Sequence, residues 1–354
     1  MASPVAISTT AVFKRGRHPV DTKHVDHSQV PGVPKPLMVV TPTDAGVYPV
    51  AVFLHGCSMY NSWYQTLLSH VASHGFIAVA PQLGGILPPL DMKDLKDIDA
   101  TRKVTAWLAD NLAHVLTNIL HLHGVTPDLS RLALAGHSRG GDTAFAVALG
   151  LGSSSSSSDT TPLKFSALIG VDPVAGLSKE LQLEPKVLTF EPRSLDPGMP
   201  ALVVGTGLGP KGLLPCAPAG VSHGEFYDEC APPRYHVVVR DYGHLDMLDD
   251  DGVPYVISNC MCKRNTNTTK DLARRAIGGA MVAFLRAKLE DDDEDLRAVL
   301  QNSPGLSPAV LDPVEYDDDE AMDGPGCAGN NGVAVVGKKI GPPTGEIKVP
   351  EGTR

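Results

Sequence analysis

The sequence predicts an α/β protein in which a mostly parallel central sheet is covered by helices on both faces. Two observations predict it. Short apolar runs suited to buried strands alternate along the chain with longer segments of helical spacing. One such run, Leu132-Ala-Leu-Ala135, enters the turn Gly136-His-Ser-Arg-Gly140 and then a small, apolar, helix-like stretch over 143–149. Strand, sharp glycine turn and helix in that order put Ser138 at the apex of a strained elbow, its hydroxyl facing a cleft.

The strand-type runs are residues 37–40, 50–54, 76–80, 132–135, 167–171, 201–205 and 236–240. Helical spacing marks 63–73, 95–120 and 272–289, and a shorter stretch over 296–300 opened by the acids Asp291 to Asp295, which favour a helix N-terminus. The serine run 153–158 reads as a flexible surface loop after the elbow helix. Residues 1–12 read as a disordered leader, 13–316 as one catalytic domain, and 317–354, rich in Gly, Pro, Asn and Asp, as a disordered tail.

Composition excludes several classes. With 354 residues, 42% hydrophobic and 20% charged, the chain has the make-up of a soluble globular protein. A formal net charge of −10 argues against a nucleic-acid partner. No apolar run is long enough to span a bilayer, and the N-terminus lacks the apolar core of a secretory signal. The first 20 residues contain no acid but several basic and hydroxyl residues, a faint organelle-transit composition that leaves the compartment open. Six cysteines are too scattered for a disulfide scaffold; Cys216 and Cys230 flank a Pro- and Gly-rich loop that one bridge could close, with free buried thiols as the default. Cys260-Met-Cys262 is not a zinc spacing, and no metal is expected. Asp249-Asp250-Asp251 reads as solvated loop acids rather than a cation site.

A serine becomes a nucleophile only when a histidine takes its proton and a carboxylate orients that histidine. Of thirteen histidines, His223, His236 and His244 lie well downstream of Ser138. His236 falls inside a strand-type run, and His223 sits in a polar loop with no strand before it. His244 follows the 236–240 run directly, in Asp241-Tyr-Gly-His-Leu-Asp246, and is the expected base. Asp172 ends the 167–171 run before Pro173 and is the expected acid; its rival Asp196 would sit at the N-terminal end of a strand, the wrong edge. Backbone N–H groups of Arg139 and Cys57 are the expected oxyanion donors, the latter because Val52-Phe-Leu-His-Gly56 runs from a strand into a turn. His55 is expected to brace that turn.

Taken together, Phe53-Leu-His-Gly56, Ser73-His-Gly-Phe-Ile-Ala-Val-Ala-Pro-Gln82, Gly136-His-Ser-Arg-Gly-Gly141, Val171-Asp-Pro-Val174 and Asp241-Tyr-Gly-His-Leu-Asp-Met-Leu-Asp-Asp250 resemble plant chlorophyllases, over about residues 13–316. The wider resemblance is to α/β-hydrolases, including lipase-like acylhydrolases. It implies the α/β-hydrolase fold and hydrolysis of the ester joining phytol to the chlorophyll macrocycle, with Ser138, Asp172 and His244 in the roles above. It implies no cofactor, since the magnesium of chlorophyll belongs to the substrate. Chlorophyll or a related porphyrin ester is the implied partner, in a chloroplast or at a cytosolic or endomembrane surface. Ala175, where relatives often carry an acid, and the longer serine run depart from the pattern outside the triad.

A large apolar substrate needs an apolar rim. The loop from Gly84 to Leu90, with Ile86, Leu87, Pro88 and Leu90, follows a strand-type run and is the candidate substrate-binding rim, with peripheral membrane contact as a further expectation. Two other readings stand beside the first: a general carboxylesterase acting on another hydrophobic ester, and a hydrolase fold serving as a small-molecule receptor.

Overall fold

The computed structural model describes residues 11–84, 93–152, 163–212, 215–250 and 262–318. Its strands are β1 (Val20–Val25), β2 (Leu37–Pro42), β3 (Gly46–Leu54), β4 (Ile77–Pro81), β5 (Val125–His137), β6 (Ala167–Val171), β7 (Ala201–Thr206), β8 (Arg234–Val239) and β9 (Leu311–Asp317). They form one sheet of order β1-β2-β4-β3-β5-β6-β7-β8-β9. Every neighbouring pair from β4 through β8 is parallel, while β1, β2 and β9 join antiparallel at the two sides.

Alternation explains how one strand serves two cores. In β3, Val50, Val52 and Leu54 point to one face while Ala51 and Phe53 point to the other. One face is covered by α1 (Gln65–Ser73), α5 (Lys270–Leu289) and α6 (Glu294–Gln301), the other by α2 (Leu95–His114), α3 (Arg139–Ala148) and α4 (His223–Glu229). The strands are therefore apolar throughout their length wherever both faces are covered.

The edges differ from expectation. β1 and β9 carry no apolar run, being partly exposed, and β9 contains Pro313, which an outermost strand tolerates. Asp317, expected in the tail, pairs with Arg234 in β9. Ala11 and Val12, expected in the leader, form a 3₁₀ turn with Phe13, and Val12 and Phe13 are buried in the core under α1 and α5. The helix expected over 95–120 is α-helical to His114 and closes with a π turn, Val115–Ile119. The expected polar loop at His223 is instead α4, capped by Ser222 and Glu225.

The topology fixes where a ligand can approach. From β3 the chain crosses to β4 on one side and then returns to β5 on the other. The connections leaving the C-terminal ends of β3 and β5 thus diverge and open a crevice between them. Residues His55–Cys57 follow β3 and Ser138 follows β5.

Candidate active site

Ser138 adopts φ 57° and ψ −126°, a conformation in which a non-glycine residue is strained. The elbow is held by what surrounds it. The Ser138 N–H donates to the Val171 carbonyl, and the Ser138 carbonyl accepts from Gly141, Asp142 and Val174. Glycine is obligatory at two points of close approach. A Cβ on Gly136 would lie 2.1 Å from the Gly140 carbonyl oxygen, and one on Gly140 would lie 2.5 Å from the oxygens of Leu54 and His55.

Ser138 Oγ lies 2.9 Å from His244 Nε2, and His244 Nδ1 lies 2.7 Å from Asp172 Oδ2. The carboxylate can only accept, so Nδ1 carries the proton and Nε2 faces the serine as an acceptor. Asp172 also takes the Thr206 hydroxyl at 2.6 Å and the Thr206 N–H at 3.2 Å. Complete burial works to raise the Asp172 carboxyl; the His244 hydrogen bond and charge, with His223 and Thr206, outweigh it and bring it down to about 2. A carboxylate so held stays ionised throughout the working pH range.

The rival histidines are spent on each other. Glu315 Oε2 lies 2.8 Å from His236 Nδ1, and His236 Nε2 lies 2.9 Å from His223 Nδ1. Glu315 can only accept, so His236 Nδ1 carries a proton, and Tyr227 stacks on the His236 ring at 4.9 Å. Burial pushes His223 down to about 4. Asp196 is exposed and holds the Gly198 N–H, away from His244.

Cys57 and Arg139 flank a cavity of about 230 Å³ that Gly56 and Gly140 also line. Among the described residues neither the Cys57 nor the Arg139 N–H donates a hydrogen bond. A Cβ on Gly56 would sit 3.1 Å from Ser138 Cβ, so the turn after β3 lies against the serine. His55 braces that turn: its Nδ1 donates to the Gly56 carbonyl, and its Nε2 accepts the Leu83 N–H. The Arg139 side chain turns away to Asp94, which is buried and also takes the Thr143 hydroxyl. The proposed rim residues Ile86, Leu87, Pro88 and Leu90 lie outside the described residues.

The profile of the chlorophyllase family matches residues 8–318. This chain belongs to the chlorophyllase family. Chlorophyllase-1 of Arabidopsis thaliana is 42% identical over 315 residues, spanning 87% of this chain and 93% of that protein. Chlorophyllase-2 of the same plant is 48% identical over 273 residues, 75% of this chain and 81% of its own. The type 0 chlorophyllase of Chenopodium album is 41% identical over 308 residues, covering 85% of each. The family match extends over both β1 and β9, the two edge strands that the apolar pattern does not reveal.

Three features of this chlorophyllase-family site were not anticipated. Thr206 is the second partner of Asp172, and nothing in a lone threonine at a strand end announces that role. The Ser222–Glu225 box does have a signature, Ser-x-x-Glu, which marks a helix start and removes His223 from a loop. The disulfide is a correction: Cys216 pairs with Cys262, not Cys230, with Cα atoms 5.4 Å apart. Cys230 is a free buried thiol that closes α4. Closeness along the chain suggested the wrong partner, because the bridge joins the connections leaving two neighbouring strands, β7 and β8. Of the acids after His244, Asp249 holds the Thr66 N–H at the start of α1 and Asp250 pairs with Arg274.

Proposed function

We propose that this protein hydrolyses the phytyl ester of chlorophyll to chlorophyllide and phytol through an acyl-enzyme on Ser138. The observation that carries the reading is the hydrogen-bonded line Ser138–His244–Asp172, buried at the strand ends of a chlorophyllase-family chain. The Arabidopsis, Citrus and Chenopodium relatives all carry chlorophyllase in their names, which supports chlorophyll as the substrate.

The chemistry follows from the donors and acceptors. Ser138 Oγ attacks the propionate ester carbonyl as its proton passes to His244 Nε2. Asp172 stabilises the imidazolium that forms. The oxyanion takes the Cys57 and Arg139 N–H groups, which donate to nothing else among the described residues. The C–O bond to phytol breaks as His244 returns the proton to the departing oxygen. Water then attacks the acyl-serine as His244 takes its proton, and His244 returns that proton to Ser138 Oγ as the acyl C–Oγ bond breaks and the carboxylic acid leaves.

The test is release of water-soluble chlorophyllide from chlorophyll a by the purified protein and by Ser138→Ala, beside hydrolysis of p-nitrophenyl butyrate. Chlorophyllide release lost in Ser138→Ala supports the reading. A wild type active on the small ester but inert to chlorophyll rejects the substrate and retains the serine mechanism.

A further inference from the structure

His137 stands between the glycine and the serine of the elbow, and the chemistry above gives it no part. Its imidazole is wholly buried and lies against His244, ring centroids 4.5 Å apart. His137 Nε2 is 3.0 Å from the His244 carbonyl oxygen, which can only accept, so Nε2 carries a proton. Burial, and then the His244 charge, pushes the imidazole well below its usual value, so it is neutral and Nδ1 is an acceptor. The Tyr64 hydroxyl, 2.7 Å away, donates to that Nδ1.

Tyr64 Oη in turn accepts the Gly56 N–H at 3.0 Å; Met59 Sδ, also 3.0 Å from Oη, is the weaker acceptor for the one hydroxyl proton, which goes to the nearer His137 Nδ1. Gly56 immediately precedes Cys57. The bonds therefore run in one direction, from the Gly56 N–H through Tyr64 and His137 to the backbone of His244. Each donor and acceptor is assigned, and Tyr64 is as completely buried as His137.

We infer that Tyr64 and His137 are positioning residues that hold the Gly56–Cys57 turn and the His244 loop in register about Ser138. The inference rests on Ser138 and His244 being nucleophile and base. The two segments come from opposite ends of the domain and share no backbone hydrogen bond with each other among the described residues. Small displacements of either would misalign the attack, because the oxyanion donors and the proton acceptor must both meet the reacting ester. Both side chains are wholly buried and out of reach of an approaching ester, so the pair acts on the rate of chemistry rather than on binding.

Steady-state kinetics of Tyr64→Phe on chlorophyll a and p-nitrophenyl butyrate, beside Ser138→Ala, test this. Tyr64→Phe removes one oxygen and leaves the Gly56 N–H and His137 Nδ1 unpaired. The expected result is a kcat lower by about 10- to 100-fold on both esters with KM little changed. His137→Gln should give a similar fall, and the double variant should be no worse than the more damaged single one, as for residues acting as a unit. A folded Tyr64→Phe with wild-type kcat, or a defect in KM alone, overturns the inference. The wild type gives a reading independent of folding in the variants: ¹⁵N-histidine NMR should show His137 protonated at Nε2 and bare at Nδ1, and the opposite tautomer overturns the inference. An active Ser138→Ala would instead remove the catalytic reading beneath it, whereas an inert Ser138→Ala with unimpaired Tyr64→Phe removes the positioning pair alone.

Discussion

His244 Nδ1 and Asp172 Oδ2 are 2.7 Å apart, with both side chains buried and the carboxylate further held by the hydroxyl and N–H of Thr206. That arrangement fixes one tautomer of His244. In Asp172→Asn the amide can donate to Nδ1, which forces the ring proton onto Nε2 and leaves nothing to accept the Ser138 proton. Expected is a loss of roughly 10³- to 10⁴-fold in kcat with the fold intact. Chlorophyllide release per folded protein, checked by circular dichroism, measures it. Retention of activity within tenfold would remove Asp172 from the orienting role.

The elbow predicts a purely steric effect. Gly140 approaches the Leu54 and His55 carbonyls so closely that a Cβ would sit 2.5 Å from each oxygen, and those oxygens belong to backbone that cannot swing aside. Gly140→Ala should cost about 3 kcal/mol of stability and displace the turn that carries Cys57. Urea unfolding gives the first quantity, and the rate of Ser138 phosphonylation by a fluorophosphonate gives the second. A variant as stable and as reactive as wild type would refute the close-packing argument.

How legible all of this was in the sequence depends on burial. The strand expected at 167–171 is β6 residue for residue, because both of its faces are covered and nothing polar interrupts the run. By contrast β5 begins seven residues before its apolar stretch, at Val125, where Asp128, Ser130 and Arg131 face partly outward. Edge strands β1 and β9 were invisible for the same reason. Ser138, Asp172 and His244, which the structure brings into one hydrogen-bonded line, could be proposed as nucleophile, acid and base because such residues follow a fixed chain order, each just after a strand. Tyr64 and His137 could not, since a pairing across 73 residues leaves no local trace.

Asp142 predicts an inverted pH dependence. It is wholly buried in the first turn of α3, and among the described residues neither carboxylate oxygen has a hydrogen-bond partner. Burial, and then the charge of Asp94, raises its carboxyl well above 3.8. The native protein therefore keeps a proton that the unfolded chain releases as pH rises past its ordinary value, and this group's contribution to stability falls across that window. Asp142→Asn should stabilise the protein by about 2 kcal/mol at pH 8 and by clearly less near pH 4, where the unfolded carboxyl is only about half ionised. Urea midpoints at pH 4.5 and pH 8 distinguish this from a pH-independent change, which would contradict it.

The Cys216–Cys262 bridge predicts that stability and catalysis are linked through two loops. The loop carrying Cys216 packs beside Asp172: the Ala217 N–H donates to Gly209, and a Cβ on Gly209 would lie 3.0 Å from Asp172 Oδ2. Past Cys262, the Lys263 carbonyl lies against Gly243, the neighbour of His244, while Asp246 joins the N–H groups of Gly243 and Asn265. The bridge thus ties the segment beside Asp172 to the segment beside His244 across a sequence separation of 46. Closing a loop of that length restricts the unfolded chain by roughly 4 kcal/mol on the chain-entropy account. The variant Cys216→Ser/Cys262→Ser should lose stability of that order, and its kcat should fall more than its KM rises, because the distance between base and acid is what the bridge restrains. Reduction of the wild type with dithiothreitol should reproduce both effects and leave the double variant unchanged. A reductant effect of equal size in the variant would show that dithiothreitol does not act through this bridge, and would contradict the linkage.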